Sequence, residues 1–168
     1  MESMGKKARE CARYAAKLPT GEKNLILEAC ADALEQAIDF LIAENKKDME
    51  QLDDSRQSFA DRLLLTPDRI RGMAEGLRGV ARLDDPVNEI LSVKKLPNGL
   101  NVGQKRVPIG VVGMIYEARP NVTSDAFALC LKSGNACILR GGSEAIRSNI
   151  ATVAVLQEIG RASCRERV

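Results

Sequence analysis

The chain has 168 residues, 45% hydrophobic and 29% charged, a balance that suits one globular domain or part of a larger one. It contains no histidine, which excludes Ser-His-Asp and Cys-His catalysis and histidine-containing zinc sites within it. A formal net charge of +2 without a long basic block argues against a nucleic-acid interface, and no apolar run approaches the roughly 18 residues of a membrane span.

Aromatic residues make up 3% and tryptophan is absent, so any core must be aliphatic. Five cysteines (Cys11, Cys30, Cys130, Cys137, Cys164) show no CxxC spacing and follow no signal peptide, which fits a reducing cytosol and a cytoplasmic location. Asn121-Val122-Thr123 matches a glycosylation pattern; without a secretory route the match is accidental.

The first half reads as helices. Ala8, Cys11, Ala12, Ala15 and Leu18 recur at helical spacing until Pro19. Thr20 is placed to cap the next helix, whose apolar face is Leu27, Cys30, Leu34, Ile38 and Leu41. Asn45 to Asp48 marks its fading, or its continuation on a polar face. Thr66-Pro67 predicts a further helix start, with a stripe of Ile70, Met73, Leu77 and Val80.

The texture then changes. Ile90 to Leu96 and Leu100 to Val107 are strand-like and flank Pro97-Asn98-Gly99, a hairpin signal because asparagine and glycine both tolerate positive φ. From Pro108 the order is strand, helix, strand, helix. Ile109 to Tyr116 and Ala136 to Leu139 are the strands, and Val122 to Ser133 is the helix between them. The last helix opens at Gly141-Gly142 with Ser143 as a cap, Glu144 in its first turn, and Ile146, Ile150 and Val153 inward. Apolar strands joined through a helix imply a parallel sheet covered on both faces. Gly110 and Gly113, inside the first strand, read as close-packing positions rather than a nucleotide fingerprint.

Ligands of open parallel sheets bind beyond the carboxyl ends of the strands, and helix N-termini favour anions. Two segments meet that description: Tyr116 to Asn121 and Arg140 to Glu144. Each brings an arginine, Arg119 or Arg140, to where a phosphate-bearing ligand is expected. The plainer reading pairs each arginine with Glu117 or Glu144, and the pattern alone weighs the two equally.

Residues 108 to 149 contain YEARPNVT, LCLKSGNA and ILRGGSEA, and together these closely resemble the gamma-glutamyl phosphate reductase (glutamate-5-semialdehyde dehydrogenase) family of the aldehyde dehydrogenase superfamily. The upstream helices and the PNGL hairpin are similar too, so the resemblance covers residues 1 to 158, the amino-terminal part of a longer chain. It implies an α/β, aldehyde dehydrogenase-like fold in truncated form. Residues 1–88 would be the helical part of the cofactor-binding domain, 89–107 an oligomerisation-type hairpin arm, and 108–158 the first βαβα of a Rossmann-like NADP-binding domain. The implied activity is NADPH-dependent reduction of L-glutamate 5-phosphate to glutamate 5-semialdehyde in proline biosynthesis, through a cysteine thioester. Implied partners are a second copy of the chain and a glutamate 5-kinase, with no nucleic acid, membrane or metal.

On that resemblance, Arg140 takes a lysine position beside the adenosine ribose and would also meet a 2′-phosphate, with Gly141, Gly142, Ser143 and Glu144 lining the same turn. Tyr116 and Pro120 complete the cofactor side. An ungapped match places Glu117 at the oxyanion asparagine, a small shift places Asn121 there, and Arg119 is a further substrate contact. The nucleophilic cysteine lies downstream, so the chain alone is expected to be inert. Residues 159–168, IGRASCRERV, back-translate to something like a sequencing adapter and are expected to be non-native. Another aldehyde or acyl-phosphate dehydrogenase of the superfamily, and a non-catalytic helical interaction module, remain the alternatives.

Overall fold

The computed structural model describes residues 2–52, 60–117 and 119–165, with side chains through 159. Helix α1 (Glu2–Ala15) buries Ala8, Ala12 and Ala15 and lies against the parallel strands described below. Cys11, expected on the same stripe, is exposed, because the stripe follows the alanines and Cys11 falls one step off it.

Helix α2 (Thr20–Gln36) begins one residue earlier than its sequence suggests. Pro19 holds the capping position with extended backbone, and Thr20 is already helical. The Thr20 hydroxyl donates to Asp85 Oδ2 at 2.9 Å instead of capping its own helix. The single long helix expected here is two, since the chain turns at Ala37 before α3 (Ile38–Met49). The break keeps both ends of the stripe inside, with Leu27, Cys30, Leu34 and Leu41 fully buried. Burial also pushes the Cys30 thiol up to about 12, which leaves it un-ionised and inert.

A four-residue helix α4 (Ala60–Leu63) precedes α5 (Pro67–Arg82), which starts as its sequence predicts. Thr66 Oγ1 accepts from the Arg69 N–H at 3.2 Å, and Pro67 sits where no N–H is needed. Ile70, Met73, Ala74 and Leu77 face α2 and join Leu27, Cys30, Leu34 and Leu41 in one cluster. Each fully buried leucine or isoleucine there contributes about 1.5–3 kcal/mol.

Strands β1 (Ile90–Lys95) and β2 (Asn101–Lys105) form the expected antiparallel hairpin. Its turn departs from the expectation: Gly99 has φ +88° but Asn98 does not share the left-handed region. Gly99 N–H donates to Leu96 O at 2.9 Å and Leu96 N–H to Leu100 O at 2.8 Å. That is a three-residue loop in which only the glycine needs positive φ. Every residue of both strands is exposed on both faces.

Strands β3 (Val111–Ile115) and β4 (Ala136–Arg140) are parallel, paired from Val111–Ala136 to Ile115–Arg140, with helix α6 (Asn121–Lys132) between them in sequence. Coverage on both faces is not reached: no residue of either strand is buried, and Ile115 is 82% exposed. Gly110 turns at φ +114° ahead of β3 with open space around it, so its requirement is conformational and not one of close packing. A 3-10 turn (Ser143–Ala145) leads into α7 (Ile146–Arg165). The helix is thus continuous past residue 159. Its inner face is not the expected Ile146 and Ile150, which are exposed, but Ser148, Ala151, Thr152, Val155 and Leu156. Isoleucine spacing misled because polar residues of this helix have partners inside, whereas Ile146 and Ile150 face outward.

Two buried lysines tie these layers together. Lys23, fully buried, donates to Asp85 at 2.8 and 3.1 Å and to Lys132 O, at the C-terminus of α6, at 3.2 Å. Lys132 in turn donates to Ala81 O at the end of α5 and to Asn24 Oδ1, at 2.8 and 2.7 Å. Each ammonium therefore sits at the negative end of another helix. Burial works against ionisation of Asp85, but hydrogen bonds from Lys23, the Val87 N–H and Thr20 outweigh it and hold its carboxyl below the usual range. A depressed carboxyl contributes stability above its unfolded pKa and loses it as pH falls through the folded value. Asp85→Asn is expected to destabilise the fold by on the order of 3 kcal/mol at pH 7. In urea titrations across pH, that deficit should shrink from about pH 4, where the unfolded carboxylate protonates, down through the lower folded value.

Candidate functional site

The two turns that leave β3 and β4 lie side by side because their strands pair in register to the last residue. Tyr116 N–H donates to Arg140 O at 3.1 Å, extending the ladder one step past Ile115. The first turn then folds sharply: Arg119 N–H donates to Glu117 O at 2.8 Å, and buried Pro120 occupies the capping position of α6. Proline has no N–H to satisfy there and presets φ near −60°. Glu117, Arg119 and Asn121 are all exposed, and Asn121 Nδ2 donates to Asp125 Oδ2 at 3.2 Å.

Beneath this rim runs a buried polar relay. The Tyr116 hydroxyl meets Thr123 Oγ1 at 2.6 Å, and Thr123 donates to Asn149 Oδ1 at 3.0 Å. Burial pushes the Tyr116 phenol up, against the opposing effect of its hydrogen bond with Thr123. The other end of the Asn149 amide, Nδ2, is buried without a hydrogen-bond partner among the described residues and rests on Gly141. A Cβ at Gly141 would lie 2.2 Å from that nitrogen and 3.2 Å from the Tyr116 ring. The room that glycine leaves at position 141 is used by Asn149 and Tyr116.

The second turn differs from its sequence reading in two ways. Ser143 does not cap, since Gly142 takes that position with ordinary extended backbone. The first-turn amides of α7 are already engaged by a carboxylate from α3. Asp48 accepts from Arg147 N–H at 3.2 Å, Ser148 N–H at 2.8 Å and Ser148 Oγ at 2.7 Å. Asn45 completes the tie through Leu63 O, Ser148 Oγ and the Leu65 N–H, at 2.9, 3.0 and 2.8 Å. Both residues are 2% exposed, although their sequence context reads as a polar surface. An internal anion thus fills the place where an external one was expected. Arg140 is exposed at the end of β4, beside the Tyr116 backbone, and neither it nor Arg119 forms an ion pair among the described residues.

A cavity of about 420 Å³ opens at the first turn, between α4–α5 and the start of α6. Arg119, Pro120 and Asn121 line it, together with Asp61, Arg62, Arg69, Gly72 and Asp125. Tyr116, Glu117 and the Arg140–Glu144 turn do not. Arg69 is committed to structure, donating to Asp61 Oδ1 and Leu64 O at 2.8 Å and also to Asp61 O. The α4–α5 residues of this cavity were missed from sequence because their helix faces read as solvated surface. Among the described residues no group of three or more His, Cys, Asp or Glu could hold a metal ion, and no helix is long and apolar enough to cross a membrane.

No family model matches the chain. Curated relatives do. It is 52% identical over 158 residues to a gamma-glutamyl phosphate reductase of Lachnospira eligens, a match that covers 93% of this chain and 38% of the relative. The corresponding protein of Carboxydothermus hydrogenoformans is 51% identical over 158 residues, with the same coverage of each. This chain therefore spans under two-fifths of the length of the curated relatives it matches. The crystal structure of gamma-glutamyl phosphate reductase from Thermotoga maritima superposes with a TM-score of 0.89 at 38% identity, over 94% of this chain and 38% of that one. A probable aldehyde dehydrogenase of Listeria monocytogenes superposes at 0.67 with 15% identity, over 92% and 32%, which shows shared fold alone.

Gly141→Ala is expected to cost about 1–3 kcal/mol, because the new methyl must displace the Asn149 amide. Chemical denaturation of the single and double variants should show Asn149→Ala recovering part of that loss, whereas distant sites would add independently.

Proposed function

We propose that this chain, which belongs to the gamma-glutamyl phosphate reductase family on homology across 93% of its length, forms the amino-terminal part of an enzyme reducing L-glutamate 5-phosphate to glutamate 5-semialdehyde, with release of phosphate. The observation that carries the reading is that homology of 52% identity includes both strand-end turns, and those turns stand next to each other on a parallel pair. Such a pair of turns is the place where open α/β sheets take ligands. NADPH, when bound, supplies the hydride.

In this reading the two turns divide the work. Arg140, exposed at the end of β4, suits the 2′-phosphate end of the cofactor, since a guanidinium offers paired donors to a phosphate. The Gly141–Glu144 turn flanks it and leans on Tyr116. The Arg119–Asn121 turn and its cavity take the substrate, where the Asn121 side-chain amide is suited to developing negative charge. The thiolate nucleophile belongs to sequence outside this chain, so the 168 residues alone turn over no substrate. The oligomeric form and the cytoplasmic location carry over from the family resemblance, and the exposed β1–β2 hairpin supports an arm that lies on another copy.

In the full-length enzyme, phosphate release and NADPH oxidation should depend together on L-glutamate 5-phosphate. Activity on simple aldehydes alone would favour another dehydrogenase of the superfamily. Arg140→Ala should raise KM for NADPH about tenfold, roughly one charge-assisted hydrogen bond, while leaving KM for NADH nearly unchanged. An equal effect on both cofactors would remove the 2′-phosphate role from Arg140.

A further inference from the structure

The cavity beside α6 holds charge of both signs, which a phosphate alone does not call for. Arg62 and Arg119 line it and make no ion pair among the described residues, whereas Arg69 is committed to Asp61 and two carbonyl oxygens. Asp125, one turn into α6, lines the cavity too, and its carboxylate accepts from Asn121 Nδ2 at 3.2 Å; the other lining carboxylate, Asp61, is paired with Arg69. Burial pushes its carboxyl up, so an ammonium placed there would restore what desolvation removes. The α5 wall is Gly72, a helix-interior glycine with open space where a Cβ would stand. Glycine costs about 1 kcal/mol against alanine at such a position, and here it keeps the cavity open. A volume near 420 Å³ suits a small molecule and not a protein segment.

Resting on the reductase reading, we propose that this cavity is a specificity site for the amino-acid end of the substrate, with Arg119 and Arg62 taking an α-carboxylate and Asp125 taking an α-ammonium group. The zwitterion fits because its two charges are separated by one carbon, and the lining combines two arginines that make no ion pair among the described residues with a carboxylate that no arginine holds there. The site then selects α-amino acids over dicarboxylic acids of equal length.

The test compares kcat/KM for L-glutamate 5-phosphate and glutaryl phosphate, which lacks the ammonium, in the full-length enzyme. Calorimetric titrations of the full-length enzyme with L-glutamate and glutarate run in parallel. Wild type should prefer the amino-acid form by about tenfold or more, one charge-assisted contact. Asp125→Asn should erase that preference, Asp125→Glu should restore part of it, and Gly72→Leu should weaken both ligands by filling the cavity. Active enzyme whose preference survives Asp125→Asn overturns the site and leaves the reductase reading standing. Asp125-dependent selection of L-glutamate without any acyl-phosphate reduction overturns the reductase reading and leaves the site. A Gly72→Leu variant with wild-type constants for both ligands also overturns the site.

Discussion

Two buried ammonium groups govern how this chain packs. Lys23 and Lys132 are each inside the protein, and each satisfies the carbonyl end of a helix other than its own. Water is not available to either, so α2, α5 and α6 must meet at one point or leave a cation buried and unpaired. Asp85 supplies the compensating charge at 2.8 Å. With its C-terminus pinned there, α6 can only present its other end, with Arg119 to Asn121, to the opposite side of the fold.

That placement gives the candidate site its asymmetry. A second buried charge, Asp48, engages the start of α7 from α3. Two helix N-termini looked equivalent as anion sites in the sequence, but the one at α6 lines a cavity whereas Asp48 engages the first-turn amides of α7. The Tyr116–Thr123–Asn149 relay then links the two turns through the protein interior, and Gly141 is small because Asn149 lies against it. Packing therefore already engages Tyr116 and Gly141, two residues of the candidate rim.

Exposure elsewhere has a consistent pattern. Both strands of the hairpin, Ile115 at the end of β3, and Ile146 and Ile150 on α7 all face outward. The chain spans under two-fifths of its relatives' length. Apolar surface of this extent on strands and helix is what a shared interior looks like when one side is considered alone. The helices, in contrast, complete a core of their own around Leu27, Leu34, Ile70 and Leu77.

The sequence by itself determined the order of elements, the Thr66-Pro67 helix start, the hairpin, and the strand–helix–strand unit carrying both turns. These are local properties, set by side-chain period, capping chemistry and turn residues within a few positions of one another. Its family resemblance, carried by YEARPNVT and ILRGGSEA, agrees with the relatives it matches. Only the tertiary structure decided which polar residues are interior. Lys23, Asn45, Asp48 and Lys132 lie inside because partners as many as 109 residues away satisfy them, as Lys132 O does for Lys23. It likewise decided that Ile146 and Ile150 face outward and that α4 and α5 wall the cavity. No local pattern encodes a contact made across the fold, and burial of a charge depends on who meets it there.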